Sequence, residues 1–226
     1  MFSYVFMKIL EARPASYDRW MRRLSGGRVG RAHREVAALV PRGARVLEVG
    51  CGTGELLQLL CARGAQVEAF DPSPAMCAAT AARIAAAGLG DRAWVRQMGV
   101  EGMDQLDAES FDAVVSTLVL SELHDDERRF ALEQARRVLA PDGVMVVADE
   151  VVPPTPAGRA LHAAARWPAL AATFLVTGSS TRPVADLVGE LERAGLLVER
   201  EQLSHGGAFC LAVARRPGHP HAEEDR

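Results

Sequence analysis

Apolar residues in the central part of the chain occur either in short continuous runs or at helical spacing. The short runs are rich in Val and Ala and are bounded by glycine, proline or charged residues, which is typical of buried strands. They predict five strands, at residues 44–50, 66–70, 93–98, 111–117 and 144–149. The segments between them predict helices, most clearly at 73–87 and 126–140. Strands that alternate with helices indicate a parallel, doubly wound sheet.

The pattern after the fifth strand predicts a helical region and two more strands. Residues 161–176 are apolar with helical spacing, a further helix is expected from Pro183 to about Ala194 with Thr181 as its N-cap, and strands follow at 196–203 and 208–214. The fold class expected is α/β: a Rossmann-like, doubly wound, mostly parallel seven-stranded sheet with N-terminal helices and a helical cover after strand five.

The expected organisation is a single domain with appended helical pieces. Residues 1–43 form an N-terminal helical flap, 44–215 the main domain with the cover at 151–182, and 216–226 a disordered tail.

Composition restricts the function classes. The chain has 226 residues, 49% hydrophobic and 24% charged, with a net charge of −3, which disfavours a nucleic-acid binder that relies on a basic surface. Its four cysteines form no C-x-x-C pair and no metal-binding spacing with histidine, so free thiols in a reducing cytoplasm are expected, with Cys61 and Cys77 buried. The apolar 161–176 segment contains Arg166 and Pro168 and is too short for stable membrane insertion.

A glycine-rich loop follows the first strand. Gly50, Gly52 and Gly54 read G-x-G-x-G rather than the dinucleotide pattern G-x-G-x-x-G, so a nucleotide-dependent oxidoreductase is disfavoured. Asp71 ends the second strand, where a carboxylate can accept both hydroxyls of a ribose. The alternative for Asp71 is an N-cap of the helix that follows it.

Four segments together resemble the class I S-adenosylmethionine-dependent methyltransferases. They are "VLEVGCGTG" (46–54), "AFDPSPAM" (69–76), "FDAVVST" (111–117) and "RRVLAPDGVMVVAD" (136–149). The chain looks nearest to the small-molecule enzymes related to ubiquinone and menaquinone biosynthesis. The resemblance implies a methyltransferase whose cofactor is S-adenosyl-L-methionine.

The resemblance also implies a set of cofactor-binding positions. The glycine loop would hold the methionine part and Asp71 the ribose. Tyr17 would cover the cofactor, with the alternative that it only packs an N-terminal helix. Many relatives carry an acid after strand three that binds the adenine amino group. Val100 replaces it here, so either the backbone N–H of Val100 or of Glu101 would bind the ring, or the Glu101 carboxylate would take the place of that acid. The full set is Tyr17, Glu48, Gly50, Cys51, Gly52, Gly54, Asp71, Pro72, Met76, Val100, Glu101, Ser116, Thr117 and Leu118.

Catalytic residues are less constrained, because in-line methyl transfer depends mainly on alignment and water exclusion. A base is required only for an un-ionised hydroxyl, amine or carbon acid. Glu122 and Glu150 are the candidates, each with the alternative of a helix-capping or surface acid. Further polar groups expected near the acceptor are His124, Asp149, His162 and His205. The alternative for His124 is a solvent-exposed helix start.

The acceptor is expected to be small and apolar or cofactor-like, because the predicted cover is apolar. Residues 7–21, with "GVEGMDQLD" and "STLVLSEL", also resemble methyltransferases associated with corrinoid proteins, which implies a corrinoid protein as a partner. A different class of function stays open: a methyltransferase-like protein that binds the cofactor as a partner or regulator without turnover.

Overall fold

A seven-stranded sheet lies at the centre of the part of the chain that the structure describes. The structure is a computed structural model, and it describes Arg19, Arg23, residues 25–156, Gly158, Arg159 and residues 182–217. The strand order is β3-β2-β1-β4-β5-β7-β6. The strands are β1 Arg45–Val49, β2 Gln66–Asp71, β3 Ala93–Gln97, β4 Phe111–Thr117, β5 Leu139–Glu150, β6 Leu197–Ser204 and β7 Phe209–Arg215.

The first five strands are parallel, whereas β7 pairs antiparallel with both β5 and β6. The order reverses between β1 and β4, and ligands in doubly wound sheets bind at the carboxyl edge beside that point. The predicted mostly parallel seven-stranded sheet is therefore confirmed.

Helices cover both faces of the sheet. They are α1 Arg28–Leu39, α2 Glu55–Ala62, α3 Pro74–Ala86, α4 Asp125–Val138 and α5 Leu187–Arg193, with 3-10 turns at Val100–Gln105 and His205–Gly207. The core on one face includes Val36, Val46 and Leu57, and the core on the other includes Leu47 and Leu132. Val46 and Leu47 are neighbours in β1 but belong to different cores, because successive strand residues point to opposite faces of the sheet. This alternation places Glu48 on the same face as Val46.

Strand β5 begins earlier than the pattern predicted. It starts at Leu139 instead of residue 144, and α4 correspondingly ends at Val138. The added residues include a turn in which Asp142 has a φ of 61°, and the register with β4 shifts between Phe111 and Ala113. A long strand with an irregularity replaces the predicted helix end and loop.

The helix predicted from Pro183 begins at Leu187, and its N-cap is Asp186, whose carboxylate accepts the N–H of Gly189 at 2.9 Å. The assignment of Thr181 as the cap is therefore wrong for this helix, although Thr181 itself lies outside the described residues. Val184 forms a parallel bridge with Val151, which keeps the chain extended before the helix.

Other predictions fall partly outside the described residues. The 161–176 segment, most of the flap and residues 218–226 are not described, and no helix among the described residues is long and apolar enough to cross a membrane. Arg216, placed in the disordered tail by its sequence, donates its N–H to the Gly143 carbonyl at 3.0 Å. All four cysteines are free; Cys61 is buried as predicted, but Cys77 is only half-buried.

Candidate functional site

A cavity of about 540 Å³ opens at the carboxyl edge of the sheet, beside the ends of β1, β2 and β4. Twelve of the residues predicted for the site line it. They are Glu48, Gly50, Cys51, Gly52, Asp71, Pro72, Met76, Val100, Glu101, Thr117, Leu118 and Glu122.

Four of the predicted site residues are not among the described lining residues. Gly54 is the left-handed N-cap residue of α2, and a side chain there would meet Thr80 at 3.0 Å. Ser116 is buried within β4, and Glu150 ends β5 opposite Phe209. Tyr17 lies outside the described residues.

The glycine loop wraps the end of β1 in a conformation that favours glycine. Gly50, Gly52 and Gly54 have φ values of 70°, 52° and 79°. The N–H groups of Gly50 and Cys51 both donate to the Phe70 carbonyl at 3.0 Å, which fixes the loop against β2. A Cβ on Gly50 would lie 2.3 Å from Cγ2 of Val119, so the loop also approaches the chain after β4 closely.

Asp71 connects the glycine loop to the start of α3. One carboxylate oxygen accepts the N–H of Gly52 and the other accepts that of Ser73, each at 2.9 Å. The cap of α3 is Ser73, whose hydroxyl accepts the N–H of Met76 at 3.4 Å. The N-cap alternative for Asp71 is therefore wrong, and its carboxylate stands on the cavity wall in a fixed orientation.

Glu48 is a buried acid on the cavity wall. It is 3% exposed, and among the described residues its Oε2 has no hydrogen-bond partner. Burial, and then the nearby charge of Asp71, raise the pKa of Glu48 well above its usual value. Thr117 likewise has a buried hydroxyl without a partner in the described part of the chain. Each of these two groups can form a hydrogen bond with a ligand that occupies the cavity.

The chain after β4 forms another wall of the cavity. Leu118 has a φ of 60° and donates its N–H to the Ala148 carbonyl at 2.9 Å, and Glu122 lies exposed at the rim. Beneath this wall, Asp149 is fully buried and accepts the N–H groups of Leu120 at 2.8 Å and Ser121 at 3.4 Å. Burial raises the pKa of Asp149 to about 6. Asp149, predicted to face an acceptor, instead binds the backbone.

The other polar candidates lie elsewhere. His124 is the exposed N-cap residue of α4, and its N–H donates to Glu127 at 2.9 Å, as the interpretation as a helix start predicted. His205 lies in the turn before β7, edge-on to Phe209, and His162 lies outside the described residues.

A pair of residues that the pattern did not indicate stands at the mouth. His33 on α1 and Glu55 at the start of α2 both line the cavity, and His33 Nδ1 lies 3.2 Å from Glu55 Oε2. His33 and Glu55 lie on different helices and are far apart in sequence, so no local pattern indicates the pair. The only local signal is that Val29 and His33, four residues apart, lie on one face of α1.

The described lining of the cavity is acidic. Its ionisable carboxyls are Glu48, Glu55, Asp71, Glu101, Glu122 and Glu127; His33 is present, and no Lys or Arg is found among the described lining residues. The described residues also contain no cluster of three or more potential metal ligands. Such a lining is suited to a ligand that carries positive charge.

A family model described as "Methyltransferase domain" matches residues 46–143. The chain is 36% identical over 141 residues to a phosphatidylethanolamine N-methyltransferase of Cereibacter sphaeroides, covering 61% of this chain and 68% of that protein. It is 39% identical over 89 residues to a ubiquinone biosynthesis O-methyltransferase of Xanthomonas axonopodis pv. citri, covering 39% of this chain and 36% of that protein. The second similarity thus spans about a third of the relative.

The fold resembles solved structures at low sequence identity. An O-methyltransferase family protein from Burkholderia thailandensis superposes with a TM-score of 0.68 at 20% identity, covering 92% of this chain and 60% of that chain. This likeness supports the sheet topology.

Proposed function

The chain belongs to the class I S-adenosylmethionine-dependent methyltransferases, and on that premise we propose that its cavity holds the cofactor against a small, apolar or cofactor-like methyl acceptor. The observation that carries the proposal is the joint placement in the cavity lining of the glycine loop, Asp71 and Glu48, whose Oε2 has no hydrogen-bond partner among the described residues.

The residues fit the cofactor chemically. S-adenosylmethionine carries a sulfonium and an ammonium group, and its ribose presents two hydroxyl donors. Glu48 supplies a buried acceptor without a partner among the described residues, and Asp71 supplies two fixed carboxylate oxygens. The left-handed glycines leave room for backbone to approach a ligand. When bound, the cofactor supplies an electrophilic methyl group on sulfur.

In this proposal the chain's own residues bind, align and exclude water. The Gly50–Gly54 loop holds the methionine part, Asp71 the ribose, and Met76 with Val100 and Glu101 the adenine side. Ser116 contributes only from within β4, because it does not line the cavity. Alignment of this kind accounts for most of the acceleration in an in-line displacement.

Glu122 is the proposed proton acceptor, where the acceptor molecule requires one. It is exposed at the cavity rim and is one of the lining residues. Glu150, the other candidate, ends β5 and is not among the described lining residues. We therefore assign the role to Glu122 alone.

The acceptor class rests on two supports. Val29, Val119 and Leu123 contribute apolar surface to the described lining of the cavity. The relatives named above act, by their names, in ubiquinone biosynthesis and on phosphatidylethanolamine. Ubiquinone and phosphatidylethanolamine are both molecules with an apolar body and a polar end. The corrinoid-linked acceptor rests on the resemblance of residues 7–21, 99–107 and 116–123, and stays a prediction, as does a cytoplasmic location.

Transfer of label from methyl-tritiated S-adenosylmethionine into fractions of a metabolite extract tests the proposal. Label is expected in an organic-extractable fraction, and Glu122→Gln should lower the initial rate at least about tenfold if an un-ionised acceptor is methylated. Glu150→Gln is the matched control and should retain the wild-type rate. Saturable cofactor binding without label in any fraction would instead support the partner or regulator.

A further inference from the structure

The chain after β4, residues 118–123, is held by two buried charged side chains that the proposed mechanism does not use. We call it the 118–123 segment. Asp149 lies beneath it at the end of β5, and Arg128 lies on its other side, on α4. The exposed fractions of these residues are 0% and 5%. Charged side chains are seldom buried to this degree unless they form hydrogen bonds or ion pairs.

Asp149 accepts backbone donors of the segment. Its Oδ2 takes the N–H groups of Leu120 and Ser121, and its Oδ1 takes the N–H of Glu150 at 2.7 Å. Both carboxylate oxygens are therefore used by backbone N–H groups. The carboxylate links the end of β5 to the turn of the segment.

Arg128 binds backbone acceptors of the same segment. Its Nη1 donates to the carbonyls of Leu120 at 3.4 Å and Leu123 at 3.2 Å. The opposite edge of its guanidinium pairs with both oxygens of Glu190 on α5, at 2.6 and 3.0 Å. The segment is thus bound through its N–H groups by Asp149 and through its carbonyls by Arg128.

The position of the segment matters to the cavity for steric reasons. Leu118, Val119 and Glu122 line the cavity, and Val119 fills the space that a side chain at Gly50 would need. Leu118 also keeps a left-handed backbone, which is strained in a residue other than glycine and persists only when its surroundings enforce it.

We propose that Asp149 and Arg128 are positioning residues, which together hold the 118–123 segment so that Val119 seats against the glycine loop and Glu122 faces the acceptor. This inference rests on the proposed function for its consequence in binding. The positioning itself can be measured without any ligand.

The test compares Asp149→Asn and Arg128→Met with matched controls. Asp142→Asn changes an exposed acid at the other end of the same strand, and Arg129→Met removes an exposed ion pair one residue along the same helix. For each variant, amide hydrogen exchange, calorimetric binding of S-adenosylhomocysteine and urea unfolding are measured.

Both buried variants should exchange the amides of Leu120 and Ser121 at least about tenfold faster than wild type. Their Kd for S-adenosylhomocysteine should rise about tenfold, while exchange elsewhere in the sheet stays near wild type. The two control variants should match wild type in all three measurements. Arg128→Lys keeps the positive charge but loses the planar guanidinium with its several N–H donors, and should show the same local effect more weakly.

Exchange at 118–123 and Kd both within twofold of wild type in the buried variants would overturn the proposal, and so would faster exchange spread evenly over the sheet. If Arg128→Met does not fold, Arg128→Lys carries the same comparison. Failure of wild type to bind S-adenosylhomocysteine would refute the proposed function, and the exchange result would still decide the positioning.

Discussion

Replacing Gly50 with alanine tests the close contact between the glycine loop and the chain after β4. Gly50 has a φ of 70°, and an added Cβ would lie 2.3 Å from Val119 Cγ2. A left-handed backbone costs a residue other than glycine about 1–2 kcal/mol. Overpacking of a well-packed contact adds about 1–3 kcal/mol. The free energy of unfolding should therefore fall by about 2–5 kcal/mol.

Gly88→Ala is the matched control. Gly88 follows α3 with a φ of 63°, and a Cβ there would meet nothing within 4 Å. Its substitution should cost only the backbone part, about 1–2 kcal/mol. The difference between the two variants isolates the contact with Val119, which a double variant, Gly50→Ala with Val119→Ala, should partly restore.

The assay is urea unfolding of all the variants, with S-adenosylhomocysteine binding measured on those that remain folded. Gly50→Ala should be the less stable of the two glycine variants and should bind more weakly than Gly88→Ala. Equal losses of stability for the two would refute the reasoning, because the crowding at Val119 would then have no energetic effect.

Three further predictions concern buried acids and a cap. Burial raises the pKa of Glu48, so its stabilising contribution is present at low pH and lost as pH rises through the folded pKa. The free energy of unfolding of Glu48→Gln, measured with urea, should therefore increase relative to that of wild type as pH increases. This variant should also bind S-adenosylhomocysteine more weakly. Burial raises the pKa of Asp149 from 3.8 to about 6. The free energy of unfolding of Asp149→Asn should therefore rise relative to that of wild type by up to about 3 kcal/mol between pH 4 and 7. A difference between the two proteins that does not depend on pH would contradict this. Asp186→Ala removes the α5 cap and should cost about 1 kcal/mol of unfolding free energy, with unchanged cofactor binding.

Local patterns in the sequence predict the sheet and the glycine-loop wall well. The spacing of Gly50, Gly52 and Gly54 after an apolar run, and Asp71 at the end of the next, place chain-local features at one edge of a parallel sheet. Such features are short-range, so periodicity and turn chemistry are sufficient to indicate them.

Contacts between distant parts of the chain are the ones that the pattern missed. His33 meets Glu55, and Arg128 on α4 meets Glu190 on α5. Neither pair has a local signature, because each forms only when two elements pack. The position of Asp149 at a strand end predicts that it faces the acceptor. Instead, its carboxylate accepts the backbone N–H groups of Leu120 and Ser121 in the 118–123 segment.

Tertiary pairing also overrode local helix signals. Propensity favours a cap at Thr181 and a helix start at Pro183, yet Val184 pairs with Val151, and the helix begins only at Leu187. Similarly, Leu139 follows a helical spacing but enters β5, since β4 provides a partner at Phe111.

The most direct test of the cofactor site is calorimetric titration of the wild-type chain and Asp71→Asn with S-adenosylhomocysteine, with NAD as the competing ligand and Asp91→Asn as an exposed-acid control. The wild type and the control should give saturable binding of S-adenosylhomocysteine and none of NAD, while Asp71→Asn should bind at least about tenfold more weakly. Folded wild-type protein that gives no heat with S-adenosylhomocysteine, or an Asp71→Asn variant with unchanged affinity, would contradict the proposed site.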